Sequence, residues 1–423
     1  MLRRLHFTLA LAMTLLVSCR QETAYVFTYF DNSQQDAGLF LAYSYDGFHW
    51  TSYNDNQPVM RSKVGYNNIL RDPSVCQGPD GVFHLVWTVS WNAKSIGHAW
   101  STDLVHWNDQ KAVPVMEAFP STRNTWAPEL FYSKAEDLFY IFWASTVPDN
   151  PEVSTEGSIS ENQYNHRIYC TTTRDFDTFS PTRLYFNPAF NAIDAAVVQV
   201  PGKEEFIMAV KNENLHPAEK NIRLTRSTSM KEGFPTEVSA PVSGIGMGDD
   251  AWAEGPSPLY IGKDLIVFYD LYRQHRYGAS ISHDNGVTWE DATPLIHMPV
   301  GMSHGTAIPV AKEYVDALVA SGRHLSGRTG MALPQGSAAC RQTHVGIPLL
   351  AQGAEALEGY PLRPLSPLLR GALLRYGYVI CRRRHLSWRS PGRIFRTKSN
   401  FQQLPSLADN RLYYSDSGSS MIA

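Results

Sequence analysis

The sequence predicts an all-β protein: a five-bladed β-propeller closed by pairing of N- and C-terminal strands, with an irregular C-terminal tail. Three observations favour this fold. A turn motif recurs five times, two strand-like runs precede most copies, and one unit is divided between the two ends of the repeat region. A sandwich of short strands is the alternative, but it predicts no regular repeat of a turn followed by an aromatic residue.

The recurring motif is Ser/Thr-x-Asp, then a turn, then an aromatic residue. Its copies are SYDGFHW (44–50), STDLVHW (101–107), TRDFDTF (173–179), the degenerate STSMKEGF (227–234) and SHDNGVTW (282–289). Gly and Asn tolerate positive φ, so Asp-Gly and Asp-Asn-Gly are typical of hairpin turns. Each copy therefore predicts the turn that joins two strands of one blade.

Two strands are predicted within each of the segments 71–89, 126–145, 193–211 and 253–272, where two apolar runs flank a Gly or acidic turn. Together with the turn motif, this gives four antiparallel strands per unit, which is the pattern of a propeller blade.

The fifth unit is divided along the chain. Its second and third strands are predicted at 24–30 and 39–46, and its first strand at 304–310. Pairing of these strands would close the ring and remove free sheet edges. A short amphipathic segment, 312–320, follows, so we expect the fold to be complete before the tail begins.

Residues 1–18 have the features of an export signal, because Arg3 and Arg4 precede an apolar run at 7–17 that is too short to span a membrane. The end of this segment, LVSC, resembles the lipobox of bacterial lipoproteins, in which Cys19 would be lipidated. The alternative is a plain secretory peptide with an unrelated Cys. We therefore predict an exported lipoprotein, periplasmic or on the cell surface, that contacts the membrane only through its lipid.

The predicted domains are the signal peptide, the five-bladed propeller over 19–320 and a basic, low-order tail over 321–423. The tail holds 13 Arg and 1 Lys against 4 acidic residues, whereas the whole chain has a net charge of −3. This abrupt change in composition favours a frameshifted or appended segment. An exported protein has little use for nucleic acid, which is not an expected partner. The sequence does not predict an oligomeric state.

The residues that open the first strand of each blade are expected to converge on one funnel, because these strands line the propeller axis. They are Asp72, Trp126 with Glu129, Asp194, Glu254 and His304. Hydrolysis of a glycosidic bond needs two carboxyl groups, one protonated and one ionised. Clustering of acids raises their pKa values and so keeps one of them protonated. The funnel therefore predicts a glycosidase site.

The openings RDPSV, AIDAAVV and AEGPSPLY, with WAPE and HGTA between and after them, resemble glycoside hydrolase family 43 over residues 25–320. The resemblance implies that Asp72 is the general base, Glu254 the general acid and Asp194 a residue that orients the acid and raises its pKa. It also implies inversion by single displacement, with the base and acid about 6.5–9.5 Å apart. The sequence Ile-Asp-Ala replaces the commoner Ile-Asp-Pro. This departure from the family pattern bears on the conformation of the local turn more than on the role of the Asp194 carboxylate.

His304 resembles the axial histidine of the family, which implies a water-coordinated metal such as a structural calcium at the propeller axis. The alternative is a hydrogen-bonded core histidine. No cofactor is expected to be required.

Aromatic and polar side chains near the funnel are the candidate substrate contacts: Trp91, Trp126, Trp252, Glu129 and Arg276, with Arg71 and Arg223 as further candidates. Packing between blades explains each Trp equally well. Glu129 is expected to be structural or to orient the substrate, and the insertion at 147–166 to overhang the funnel.

The resemblance implies an α-L-arabinofuranosidase or β-xylosidase that removes terminal sugars from plant-type polysaccharides, but neither the sugar nor exo against endo action follows from spacing. Family 32 β-fructosidases are one rival, although their Asn-Asp-Pro-Asn-Gly and Glu-Cys segments do not occur in this sequence. A surface glycan-binding lipoprotein without catalysis is the other alternative. The set of Asp72, Asp194 and Glu254 argues against this alternative, because a binding protein has no need to hold like charges together.

Overall fold

The computed structural model describes residues 22–326, apart from 35–37, 154–159 and 161–162. The signal peptide, Cys19 and residues 327–423 lie outside the described residues, so lipidation and the nature of the tail stay predictions. In the described part of the chain, no helix is long and apolar enough to cross a membrane.

The strands form five antiparallel sheets, which we name blades A to E. Blade A contains β4 (Arg71–Gln77), β5 (Phe83–Thr88), β6 (Ile96–Ser101) and β7 (Asn108–Val113). Blade B contains β8 (Trp126–Ser133), β9 (Leu138–Ser145), β10 (Arg167–Thr173) and β11 (Arg183–Phe186). Blade C contains β12 (Ala192–Gln199), β13 (Phe206–Asn212) and β14 (Asn221–Ser227). Blade D contains β15 (Glu254–Ile261), β16 (Asp264–Leu271), β17 (Arg276–Ser282) and β18 (Glu290–Asp291).

Blade E combines the two ends of the repeat region, in the order β19 (Ser303–Ala311), β1 (Thr23–Phe30), β2 (Phe40–Ser44) and β3 (Thr51–Ser52). The antiparallel register of β1 and β19 runs from the pair Thr23 and Ala311 to the pair Thr28 and Thr306. This arrangement confirms the predicted five-bladed propeller and its closure. Helix α1 (Lys312–Ser326) follows directly and extends six residues beyond the predicted domain end at 320.

Blade C differs from the predicted four strands, because it has three. The backbone N–H groups of Ser239 and Val242 each donate a 2.8 Å hydrogen bond to a carbonyl of β14, so an irregular segment lies where the fourth strand was expected. Pro241 lies between these two residues and has no N–H to donate, which disfavours a regular ladder. This is also the blade whose turn motif is degenerate.

Buried apolar residues fill all five interfaces between neighbouring blades. Residues of neighbouring blades share one buried cluster in each case: Val86 and Ile141, Phe142 and Met208, Ile207 and Val267, Phe268 and Phe27, and Val26 and Leu85. Removal of this surface from water is the main force that holds the blades together. We call the first strand of each blade its inner strand. The inner strands adjoin in the ring order β4, β8, β12, β15, β19.

Candidate active site

Four of the five inner strands begin with the same backbone irregularity. One of the opening residues of each has a left-handed φ: the second residue in three strands, Asp72 (51°), Ala127 (47°) and Gly255 (57°), and the third residue in β12, Asp194 (55°). At the same point the pairing with the second strand shifts register, which is the mark of a β-bulge. A bulge re-aims a side chain away from the ordinary faces of the sheet, and Asp tolerates the left-handed region better than most residues.

The fifth inner strand, β19, opens in a related way. The register between β1 and β19 passes from Gly305 directly to Ser303, so His304 has no partner in the ladder. His304 therefore occupies the position in its strand that Asp72 and Asp194 occupy in theirs.

Asp72 is held as a hydrogen-bond acceptor. The hydroxyl of Thr88 donates to Asp72 Oδ2 over 2.8 Å, and Thr88 itself accepts a 2.8 Å hydrogen bond from the backbone N–H of Ala127. The second contact fixes the hydroxyl so that its proton is directed at Asp72. His304 Nδ1 lies 3.4 Å from Asp72 Oδ1. An ionised carboxylate satisfies both contacts and can accept a proton from water.

Asp194 is buried beside the strand opening that carries Glu254. Its Oδ2 accepts a 3.1 Å hydrogen bond from the backbone N–H of Gly255 and lies 4.0 Å from His304 Nδ1. Burial, with the negative charge of Asp72, raises the pKa of Asp194 to about 7, although the ammonium of Lys211 acts in the opposite direction. Asp194 is therefore poised between its two protonation states near neutral pH.

Glu254 contacts a buried cation. Its side chain is 14% exposed, and Lys211 Nζ lies 3.2 Å from Glu254 Oε2. Lys211 also contacts Glu213 at 2.7 Å, and Lys220 contacts the other oxygen of Glu213 at 2.7 Å. These four side chains form what we call the lysine-glutamate chain, which leads from the funnel into blade C.

The sequence analysis missed Lys211, Glu213 and Lys220. The available signal was a charge within or next to an apolar strand, since Lys211 and Glu213 lie in the run FIMAVKNEN (206–214). A charge placed there needs a buried partner.

Asp270 is a fourth funnel carboxyl that the sequence analysis missed. It lies on β16 directly opposite Glu254 and is buried. Burial and the negative charge of Glu254 raise its pKa well above the usual range, and a hydrogen bond from the backbone N–H of His304 compensates only in part. The raised pKa favours the neutral form of Asp270 opposite Glu254. The acid in FYDLY (268–272), inside an apolar strand, was the signal for it.

The ring of His304 packs against the backbone of blade D. A Cβ atom at Gly255 would lie 2.5 Å from His304 Cγ, so only Gly fits this position. Burial lowers the pKa of His304 despite the nearby Asp72 and Glu254 carboxylates, which leaves the ring neutral. Among the described residues, no three His, Cys, Asp or Glu side chains are grouped closely enough to hold a metal ion. The described donors therefore do not fit a metal bound directly by the protein.

The three candidate Trp residues take part in packing. Trp126 is 2% exposed, donates from Nε1 to the carbonyl of Trp91 over 2.8 Å and contacts the ring of Tyr164. The guanidinium of Arg71 lies 4.7 Å from the centre of the Trp91 ring. These contacts favour the packing alternative for Trp126, which has no open ring face, and they cover part of Trp91.

Trp252 is partly buried, and the guanidinium of Arg273 lies 3.3 Å from the centre of its ring. This contact occupies one face of the ring. Arg276 is exposed at the start of β17, where its Nε donates to Gln274 over 2.9 Å. It is thus the most accessible of the predicted substrate contacts. Arg223 forms a 2.7 Å ion pair with Glu219.

Glu129 lies below the strand openings, three residues into β8, and is buried at the propeller axis. It accepts hydrogen bonds from Ser74 and, over 2.8 Å, from Thr306. Burial raises its pKa to about 8. These contacts tie three inner strands together, which favours the structural role over contact with a substrate.

A cavity of about 420 Å³ reaches the buried acid Asp270, although Asp72, Asp194 and Glu254 do not line it. Its wall is both polar and apolar and includes Asp31, Asn32, Asp270, Tyr272, Val300 and Met302. A volume of this size lies in the range of ligand pockets. Most of the predicted overhang at 147–166 is described, but 154–159 and 161–162 are not, so its relation to the funnel stays a prediction.

Comparison with known proteins identifies the class of the molecule. The profile of a family described as "probable glycosyl hydrolase domain", related to glycoside hydrolase family 43, matches residues 21–316. The chain therefore belongs to this family of glycosyl hydrolases. No curated protein matches the chain.

Several solved structures share similarity with the chain. A thermostable family-43 glycoside hydrolase is 15% identical, with 58% of this chain and 81% of that chain covered and a TM-score of 0.44. An α-L-arabinofuranosidase from Lactobacillus brevis is 17% identical, with coverages of 52% and 72% and a TM-score of 0.38. An exo-β-1,3-galactanase from Phanerochaete chrysosporium is 12% identical, with coverages of 55% and 52% and a TM-score of 0.38.

Proposed function

We propose that this protein hydrolyses terminal glycosidic bonds of plant-type polysaccharides with inversion, most directly as an α-L-arabinofuranosidase or β-xylosidase. One observation carries the proposal: Asp72 and Glu254 open two inner strands that are not neighbours in the ring, and their environments differ. Asp72 is held as an acceptor by Thr88, whereas Glu254 faces Lys211 and Asp270. Two carboxyl groups in different environments are what an acid and a base require.

The reaction follows from these positions. Glu254 gives its proton to the leaving oxygen as the glycosidic bond breaks, and the electron pair of that bond stays on the oxygen. Asp72 accepts a proton from the water that attacks the anomeric carbon from the opposite face. Asp194 touches the strand opening of Glu254 through Gly255 and acts as a positioning residue. Proton exchange with solvent restores both carboxyl groups.

A panel of p-nitrophenyl glycosides tests the proposal: α-L-arabinofuranoside, β-D-xyloside, galactoside and galactofuranoside. We expect turnover of at least one, and a loss of about 10²-fold or more in Glu254→Gln and in Asp72→Asn, the usual size of a general acid or base contribution. Asp264→Asn is the matched control, because Asp264 lies at the far end of the strand that carries Asp270. NMR of the first product anomer tests inversion.

A glycan-binding protein without catalysis predicts a different result. Wild type would then hydrolyse no glycoside, while wild type and both variants would bind glycan equally. That outcome would refute the enzymatic proposal and favour the binding protein.

Two further features stay predictions. Lipidation of Cys19 would place the wild-type protein, but not Cys19→Ser, in the detergent phase after phase separation. A water-coordinated cation beside His304 would appear in elemental analysis of the purified protein.

A further inference from the structure

Lys211 lies in an unusual position for a lysine. It is on β13, opposite Ile193 of the inner strand β12, and its side chain is 0% exposed. A buried ammonium is costly unless anions compensate it. Its anionic partners include Glu213 at 2.7 Å and Glu254 at 3.2 Å. One of the two is the candidate acid.

Lys211 interacts differently with the two forms of Glu254. Glu213 contacts both Lys211 and Lys220, and these cations lower its pKa, which keeps it ionised. The Lys211 ammonium attracts ionised Glu254 over 3.2 Å, whereas protonated Glu254 has no charge for it to attract. Lys211 is therefore complementary to Glu254 after the proton has left.

We propose that Lys211 is a positioning residue that stabilises the carboxylate formed on Glu254 while its proton passes to the leaving oxygen. This inference rests on the proposed function. Lys211 keeps its own protons throughout, and solvent later returns a proton to Glu254. The contact with Glu254 is longer than the contact with Glu213, so it can shorten as negative charge develops. An interaction that strengthens in the transition state raises the rate of the chemical step.

Other titratable or charged groups face Lys211 and Glu254 from the neighbouring elements. They are Asp194 on β12, Asp270 on β16, Tyr272 in the turn after it, Tyr277 on β17, His304 on β19, and Arg71 and Asp72 on β4. Lys211 is the cation of this set that contacts Glu254 directly.

The test compares Lys211→Met with the matched control Lys220→Met, which removes a buried ammonium one link farther from Glu254. Substrates with a poor leaving group need the acid, whereas dinitrophenyl glycosides do not. We expect Lys211→Met to lose about 10²-fold in kcat on the poor leaving group and little on the dinitrophenyl glycoside. Lys220→Met should affect both substrates equally, and Lys211→Arg should recover part of the loss.

The pH profile gives a second readout. Without Lys211, Glu254 holds its proton more tightly, so the alkaline limb of kcat should move upward by about one pH unit or more. Equal losses on both leaving groups in the two Met variants, with an unmoved limb, would show a structural role only and would overturn the proposal. Circular dichroism checks folding, and Lys211→Gln serves if the Met variant does not fold.

An infrared titration separates this proposal from the proposed function. The difference between wild type and Glu254→Gln reports the ionisation of Glu254 without any substrate, and we expect it to titrate at higher pH in the Lys211→Met background. An unchanged titration overturns the role of Lys211 even in an active enzyme. A shifted titration in a protein that cleaves no glycoside supports the electrostatic contact and refutes the glycosidase.

Discussion

The carboxyl groups along the axis show how position decides chemistry at the scale of one residue. Asp72 is partly exposed and accepts a hydrogen bond from the hydroxyl of Thr88. Asp194 is buried beside a backbone N–H, and Asp270 is buried opposite another acid. Of the three, Asp72 is the one that is partly exposed and accepts a hydrogen bond from a hydroxyl group, as a base that activates water requires. The same residue type therefore serves three purposes, because burial and partners differ over a few ångströms.

Glu129 allows a direct test of the electrostatics of the axis. Its folded pKa of about 8 lies above the unfolded value of about 4.3. The folded state therefore keeps a proton that the unfolded state has lost, and the free energy of unfolding falls as pH rises between these values. In Glu129→Gln, a neutral amide replaces the carboxyl group beside the hydroxyls of Ser74 and Thr306. We therefore expect the free energy of unfolding of this variant to exceed that of wild type above about pH 8, by roughly 3 kcal/mol.

Urea unfolding at a series of pH values checks this prediction. The exposed Glu237→Gln controls for the loss of a carboxylate in general. Parallel curves for wild type and Glu129→Gln across the whole range would contradict a raised pKa at Glu129.

At the scale of the element, the turn motif specifies its own conformation. In the second copy, Asp103 Oδ1 accepts hydrogen bonds from the N–H groups of Val105 and His106, while Trp107 Nε1 donates to the carbonyl of Leu104. The first, third and fifth copies share the Asp contacts with two backbone N–H groups. In these four copies the motif therefore provides an acceptor for backbone N–H groups of the turn that would otherwise lack one. Because the Asp is needed at a fixed position, the repeat can be recognised in the sequence.

Asp103→Ala should remove these hydrogen bonds from one blade. The hydrogen bonds also lower the pKa of Asp103, so their stabilisation is present at neutral pH and is lost as pH falls through the folded pKa. Because the turn is half exposed, water replaces part of the loss, and we expect a cost of about 1 kcal/mol. Thermal unfolding at neutral pH measures it, and Asp103→Asn, which keeps an acceptor, should cost less. Equal costs for the two variants would argue against the acceptor role.

Local signals explain which elements could be predicted. The blades and the strand openings followed from turns and apolar runs that repeat along the chain. The bulges did not, because nothing in Asp72 or Asp194 as residues announces a left-handed φ. Lys211 and Asp270 were missed because they lie on second strands, and their approach to Glu254 depends on cross-strand register. Blade C has the degenerate turn STSMKEGF and also has no fourth strand, so the departure from the motif was the sequence signal for this difference.

At the scale of the whole molecule, the ring is closed by the pairing of β19 with β1, which contains one very narrow contact. Gly305 faces Tyr29 in the register, and a Cβ atom at Gly305 would lie only 1.9 Å from the backbone carbonyl oxygen of Thr28. The obstacle is backbone and cannot rotate away. Any side chain at this position must therefore push the C-terminal strand from its N-terminal partner, next to His304.

Gly305→Ala should consequently weaken the ring as a whole. We expect a loss of about 3 kcal/mol or more, because overpacking against backbone has no rotamer that relieves it. The control is Gly322→Ala in helix α1, where the nearest atom to an added Cβ is a Tyr53 side-chain carbon at 3.9 Å and helix propensity favours Ala. Hydrogen exchange should show faster exchange in β1 and β19 of Gly305→Ala than in the strands of blade B. Uniform protection at wild-type stability would mean that closure does not depend on this contact.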